Sequence, residues 1–315
     1  MTEEKKYPFL TLLIALLFLD ILVFASVARR EFSAIYSALF STTALGKETA
    51  SILNYRLRVP PPSLVAHAYF VESLDDFLPL FSQRPSKPLA PASLTKLLTV
   101  AVASEILSPE ELVTFTKEVK NIGEKMSDAR EGEMFLRNDA IALALISSDN
   151  DAAYALAETS GKKEGAHTFD DAIKIFVDLM NKEARAIGLR ESIFKNPAGL
   201  DEDGHVMSAE DIGEIIRFMY KNHPEILVLS HLQKLEIHSV KGREYSVENT
   251  NDLLTDFPEI LASKTGLTDK AKGALAMLYP LKNNAPVIIV ILGSDDRFGD
   301  GRKVIEWLNE YQNYQ

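Results

Sequence analysis

Three short motifs, Ser93-Leu-Thr-Lys96, Ser148-Asp149-Asn150 and Lys264-Thr265-Gly266, follow one another along a chain of 315 residues. Together they hold the groups an acylating serine needs. At the first turn of a helix, residues three apart share a face, so the Lys96 amine stands beside the Ser93 hydroxyl. Backbone N–H groups freed at that helix start favour the negative charge that develops during attack. A neutral lysine can take the serine proton, and burial or a second cation lowers its pKa toward the working range. Lys264 is the candidate second cation. The spacing Ser-x-x-Lys recurs at Ser160 to Lys163 and at Ser192 to Lys195, but only Ser93 opens a long apolar helical stretch, which runs through Leu107.

The other two motifs supply complementary chemistry. Ser148 offers a hydroxyl that can relay a proton to a leaving amine, and Asn150 an amide that can hold a substrate carbonyl. Lys264 and Thr265 can grip a substrate carboxylate, and Gly266, without a side chain, lets a substrate backbone approach closely. Taken singly, Ser148 to Asn150 also reads as a loop with an N-cap, and Lys264 to Gly266 as a piece of edge strand. Three such motifs in one order point to a single site.

In that order the motifs resemble those of the low-molecular-mass penicillin-binding proteins that act as serine-type D-alanyl-D-alanine carboxypeptidases, and the resemblance covers roughly residues 62 to 312. Leu89 to Lys96, Asn150 to Ala153, Phe194 to Asp201, Asn249 to Asn251 and Lys264 to Asp269 are similar to stretches of that family. The resemblance implies a mostly antiparallel sheet flanked by helices beside an all-helical lobe, the β-lactamase/transpeptidase-like α+β fold, with the active site between them. It implies Ser93 as the acylated nucleophile and Lys96 as its base. Ser148 and Asn150 would form the second wall, Lys264 with Thr265 the carboxylate clamp, and the N–H groups of Ser93 and Leu267 the oxyanion hole. The implied substrate is a peptidoglycan stem peptide ending in D-alanyl-D-alanine, with β-lactams as inhibitors at the same serine and no metal or cofactor.

Departures define the rivals. Asp149 gives the Ser-Asp-Asn of class A β-lactamases, whereas many carboxypeptidases carry Gly there. Class A deacylation uses a Glu and an Asn four residues apart, and Glu191 and Asn196, five apart, fit that poorly. A cross-link endopeptidase would use the same residues on a longer substrate. A peptidoglycan-binding protein without turnover is a non-enzymatic alternative. His205, beside the acidic stretch Asp201 to Asp203, invites a triad reading, but lysine-based machinery makes it a loop or packing histidine. The extra C-terminal β domain and amphipathic anchor of the family are not expected here.

The elements that must position these residues read as follows. Leu64 to Val71 and Phe77 to Phe81 read as strands. Helical segments are expected around Ala140 to Ile146, from Ala152 to Glu158, from Asp171 to Ile187 before Gly188, and after a Ser208 cap with Asp211 three residues on. Strands follow at Leu235 to Val240, Ala262 to Lys264, Gly273 to Tyr279 and Val287 to Leu292, the last apolar enough to be buried on both faces. Lys282 to Asn284 is the expected hairpin turn, and Val304, Ile305, Leu308 and Tyr311 mark one face of a closing helix.

Residues 9 to 28 form a run dominated by Leu, Ile, Phe and Ala with one charge, Asp20, and as a helix it would reach roughly 30 Å, enough to span a bilayer. It reads as an uncleaved signal-anchor, with Ser26 to Ala28 as a competing cleavage site. Lys5, Lys6, Arg29 and Arg30 flank it evenly, so charge does not orient it. Residues 1 to 8 are assigned to the cytoplasm, 29 to 61 to a juxtamembrane stalk with Phe32, Ile35, Tyr36, Leu39 and Phe40 at helical spacing, and 62 to 315 to the catalytic domain outside the bacterial cell membrane. Pro60 to Pro62 breaks any helix before the domain. A formal net charge of -11 and no basic cluster argue against a nucleic-acid partner. The chain has no cysteine, which excludes thiolate catalysis and Cys-based metal sites, and its six histidines show no metal-ligand spacing.

Overall fold

The computed structural model describes residues 59–74, 79–123, 128–282 and 285–312. Residues 61–314 form one compact unit. The apolar run 9 to 28, the stalk helix and the turn residues Asn283 and Asn284 lie outside the described residues. Among the described residues no helix is long and apolar enough to cross a membrane.

The chain enters with strands β1 (Ala68–Ser73) and β2 (Pro79–Gln83), then a 3-10 turn (Ala92–Thr95) that runs into helix α1 (Lys96–Ile106). There follow β3 (Leu112–Thr114), α2 (Lys117–Lys120), β4 (Met134–Leu136), α3 (Arg137–Leu145), α4 (Asn150–Lys163), α5 (Phe169–Ala186), α6 (Ala209–Asn222) and α7 (Pro224–Leu227). The last third holds β5 (Lys234–His238), β6 (Glu244–Glu248), α8 (Leu253–Asp256), β7 (Ala262–Thr268), β8 (Lys272–Tyr279), β9 (Val287–Ser294) and α9 (Arg297–Gln312).

Five strands form one antiparallel sheet in the order β2-β1-β9-β8-β7, so the first and last parts of the domain share it. All eight residues of β9 are buried, as its continuous apolar run requires. Ile288, Val290 and Leu292 join the main core with Phe70, Ile212 and Ile216. There α6 comes so close that a Cβ on Gly213 would stand 2.9 Å from the Phe70 ring. On the opposite face α9 lies against β8 and β9, with Val304, Ile305 and Leu308 fully buried. The helical lobe is centred on α1, buried all round from Lys96 to Ala103; a helix apolar on every side must be a core helix. Helices α3, α4 and α5 surround it. Thr168 caps α5 by accepting from the Asp171 N–H at 3.2 Å, and Ser208 caps α6 by accepting from the Asp211 N–H at 3.1 Å.

The architecture is thus the mixed α/β class the sequence implies: an antiparallel sheet with helices and a helical lobe. Boundaries differ for local reasons. β1 begins at Ala68 rather than Leu64 because the N–H groups of Val65 and Ala66 are taken at 2.9 and 3.0 Å by the Asp300 carboxylate. The ribbons β3-β4 and β5-β6 are additional, and the expected strand Leu235 to Val240 is only the first half of the second.

Asp300 also accepts from Ser294 Oγ at 2.7 Å and is fully buried. Asp300→Ala orphans three donors beneath the entry segment, each worth about 1–3 kcal/mol. Urea denaturation should therefore show a loss of about 3 kcal/mol or more. A loss under about 1 kcal/mol would mean that water reaches those donors.

Candidate active site

Ser93 sits one turn earlier than the α-helical start expected for it, in the 3-10 turn Ala92–Thr95, where Pro91 leads in and no side chain caps. In a 3-10 turn, side chains three apart eclipse one another, which aligns Ser93 with Lys96 even better. Lys96 Nζ lies 2.8 Å from Ser93 Oγ, and it donates to Asn150 Oδ1 at 2.7 Å and to the Ala198 carbonyl at 2.8 Å. Lys96 is fully buried. Ala92, immediately before the nucleophile, has a left-handed backbone (φ +48°), a conformation that costs a non-glycine residue about 1 kcal/mol and marks a position held by its surroundings.

The Ala198 carbonyl is aimed by Asn196. Its Oδ1 accepts from the N–H groups of Ala198, Gly199 and Leu200 at 3.3, 2.8 and 3.0 Å, and its Nδ2 donates to Leu200 O and Glu202 Oε2, both at 3.1 Å. The same loop is strapped to the end of β7. Asp201 accepts from Thr268 Oγ1 at 2.7 Å and from the Lys270 N–H at 3.1 Å, while Lys270 Nζ reaches Asp203 at 3.0 Å.

The second wall comes from the α3–α4 junction. Asp149 caps α4, accepting from the Ala152 N–H at 3.1 Å, and Ser148 before it is also left-handed (φ +61°). Lys264 Nζ donates to Ser148 Oγ at 2.8 Å and to the Thr265 carbonyl at 3.0 Å. Burial first, then the charges of Lys96 and Arg297, hold the Lys264 pKa well below the ordinary lysine range. Thr265 Oγ1 and Thr250 Oγ1 share a hydrogen bond of 2.5 Å. Gly266 lines the cleft and has a packing role as well. A Cβ there would stand 2.9 Å from Ala92 Cβ and 3.0 Å from Ser93 N, so the missing side chain makes room for the nucleophile turn itself.

These residues bound a cleft of about 340 Å³ lined by Ser93, Ser148, Asn150, Ala198 to Leu200, Thr250, Thr265 to Thr268 and Arg297. Six of the eight expected site residues, Ser93, Ser148, Asn150, Thr265, Gly266 and Leu267, therefore meet at one surface. Lys96 and Lys264 stand directly behind it, Lys264 touching Ser148 rather than open space. Leu267 is exposed at 65%, free to meet a ligand. No carboxylate lines the cleft among the described residues, and Glu191 is exposed away from it. The rival motifs are engaged elsewhere: Ser160 Oγ donates to the Leu156 carbonyl, Lys163 pairs with Glu111, and Ser192 Oγ donates to Asp211. His205 lies 3.0 Å from Thr95 Oγ1, so it forms no triad with Ser93. The sequence reading missed Thr250 and Arg297 as lining residues, and the Ala198 carbonyl as a partner of Lys96. The only signals for Thr250 and Ala198 were family-like stretches, and Arg297 follows β9 with no motif of its own.

The family model described as D-alanyl-D-alanine carboxypeptidase matches residues 59–296. The chain belongs to this family. It is 29% identical over 221 residues to the D-alanyl-D-alanine carboxypeptidase DacF of Bacillus subtilis, covering 68% of this chain and 54% of the Bacillus protein. It is 28% identical over 258 residues to a D-alanyl-D-alanine endopeptidase of Escherichia coli, covering 78% of each. The chain thus spans about half the length of the first relative. Among solved structures it resembles a Streptomyces DD-transpeptidase with a TM-score of 0.72 at 22% identity, over 79% of this chain and 98% of that one.

Proposed function

We propose that this member of the family removes the terminal D-alanine from peptidoglycan stem peptides through an acyl-enzyme on Ser93. One observation carries the reading: the partners of the Lys96 amine. Asn150 Oδ1 and Ala198 O can only accept, so in the neutral amine they take its two hydrogens. The single lone pair is then directed at the Ser93 hydroxyl at 2.8 Å. That is the arrangement a general base needs.

The steps follow from the same geometry. Lys96 takes the Ser93 proton as Oγ attacks the carbonyl of the penultimate D-alanine, and the oxyanion meets the N–H groups of Ser93 and Leu267. Ser148 Oγ accepts from Lys264, and its own O–H protonates the leaving D-alanine nitrogen as Ser148 takes up in turn the proton that Lys96 holds, which returns Lys96 to the neutral form. The C–N bond breaks, and water, deprotonated by the same lysine, then cleaves the Ser93 ester. The substrate's terminal carboxylate would lie against Thr265, Thr250 and Arg297, with Lys264 behind them. That anion favours the charged form of Lys264, so binding and its protonation are linked. A β-lactam would acylate the same serine, and among the described residues that line the cleft there is no carboxylate in the place of a class A deacylation base. The substrate lies outside the cytoplasmic membrane. In this reading the domain does too, tethered by the apolar run of residues 9 to 28.

Release of D-alanine from an N-acylated peptide ending in D-alanyl-D-alanine, with fluorescent penicillin labelling alongside, tests the reading. Both should be present in the native chain and absent in Ser93→Ala. Stable labelling without D-alanine release would shift the assignment to a cross-link endopeptidase or a binding protein, and rapid penicillin hydrolysis to a β-lactamase. Protease added to intact spheroplasts should digest the domain if it is extracytoplasmic.

A further inference from the structure

His205 takes no part in the steps above, yet it is only 2% exposed and lies beneath the nucleophile turn. Its Nε2 is 3.0 Å from Thr95 Oγ1, and Thr95 Oγ1 is 2.9 Å from the Ala92 carbonyl. On the other side, the Lys195 N–H points at Nδ1 at 3.4 Å. The proton positions in this chain of contacts are forced. The Ala92 carbonyl can only accept, so Thr95 spends its hydroxyl hydrogen there and has only lone pairs for the ring. The Lys195 N–H can only donate, so Nδ1 must accept. His205 is therefore neutral, with its hydrogen on Nε2 given to Thr95.

We propose that His205 is a positioning residue for the nucleophile, holding Thr95 so that Thr95 locks Ala92 in the left-handed conformation that presents Ser93 to Lys96. The proposal rests on the acylating-serine reading. Ala92 is the position that needs such a hold: its φ is +48°, and no glycine relieves it. Gly199 packs against the same carbonyl, since a Cβ there would stand 1.8 Å from Ala92 O and 2.8 Å from Thr95 Oγ1. The Ala92 carbonyl is thus fixed from two sides. The hold stays in one state across the neutral range, because burial pushes the His205 pKa down to about 4, with Asp201 opposing the shift and Lys195 adding to it. Thr95 brings no charge to the ring, and the Phe194 ring meets it edge-on at 5.9 Å. A charged ring would turn Nδ1 into a donor facing the Lys195 N–H, so stability falls as pH drops from about 6.5 toward about 4.

The test compares the full chain with Thr95→Val, His205→Leu and His205→Gln, following acylation of Ser93 by a fluorescent penicillin. Misplacing a nucleophile by about 1 Å costs up to roughly 100-fold. His205→Leu and Thr95→Val should each slow the acylation step by about 10- to 100-fold while leaving the preceding binding equilibrium within about threefold. The double variant should lose no more than either single one, because both break the same chain. His205→Gln, whose amide can still donate to Thr95, should recover most of the rate. In protein carrying 15N-histidine, His205 should show a protonated Nε2 and a bare Nδ1 at neutral pH. Acylation of His205→Leu within threefold of native, losses that multiply in the double variant, or the opposite tautomer would each overturn the proposal while leaving the acyl-enzyme reading intact. A native chain that is never labelled at Ser93 would overturn both.

Discussion

Lys96→Met is expected to reduce acylation of Ser93 by roughly 10³-fold or more, a loss on the scale of a general base. Methionine keeps the length and apolar stem of lysine, so the buried column of α1 stays filled. What it lacks is the lone pair facing Ser93 Oγ and the two hydrogens that satisfy Asn150 Oδ1 and the Ala198 carbonyl. Those two acceptors would be left without Lys96, at about 1–3 kcal/mol each if no water reaches them. A moderate loss of stability should therefore accompany the loss of rate. Stopped-flow acylation by a fluorescent penicillin and urea denaturation separate the two effects. Acylation within tenfold of native would remove Lys96 from the role of base and send the search for one back to the Lys264–Ser148 pair.

The second large effect is structural. Gly199→Ala places a Cβ 1.8 Å from the Ala92 carbonyl oxygen and 2.4 Å from its carbon, at a φ of +84°. Both contacts are to backbone, so no side chain can swing aside. The loop 196 to 202 or the nucleophile turn has to move. The left-handed conformation alone costs alanine about 1 kcal/mol, and overpacking adds about 1–3 kcal/mol. Gly188→Ala isolates the first cost, because Gly188 is equally left-handed (φ +90°) with nothing within 4 Å of its missing Cβ. Thermal or urea unfolding should show Gly199→Ala losing about 1–3 kcal/mol more than Gly188→Ala. Folded Gly199→Ala should also acylate more slowly by over tenfold. Equal losses for the two variants would mean that the loop yields freely.

The parts of the site that were legible in the sequence are those whose chemistry is carried by side-chain identity at short range. Ser93 and Lys96 are three residues apart, and a helical turn is enough to bring them together. The stretch Ser148 to Asn150 reads as a loop with an N-cap, and Asp149 is that cap. The run Val287 to Leu292 reads as a doubly covered strand and lies at the centre of the sheet. What stayed hidden is carried by backbone or by distance. The Ala198 carbonyl has no side-chain signature, and it reaches Lys96 only because Asn196 folds three N–H groups around one oxygen. Thr250 becomes a cleft residue because its loop is tied to the end of α3 through Ile146 O and to Thr265 on β7, and Arg297 because it follows β9, which β8 joins to β7 in one sheet; spacing reveals neither juxtaposition. Gly266 reads as a place where a substrate backbone comes close, and the room its missing Cβ leaves for Ala92 and Ser93 had no signal in the sequence. Strands β3 and β4, three residues each, are too short to show an alternation, whereas β6 was missed although it alternates buried Tyr245 and Val247 with exposed Glu244, Ser246 and Glu248.

Of the four non-glycine residues with positive φ among the described residues, Ala92 and Ser148 flank the reacting centre, while Arg84 and Lys272 stand outside the cleft lining. That division separates strain with a chemical use from strain without one. Anyone seeking a hardier enzyme should start at the second pair, where asparagine tolerates the same backbone turn at lower cost. At Ala92 and Ser148 a more relaxed residue would make the protein easier to keep and slower to act.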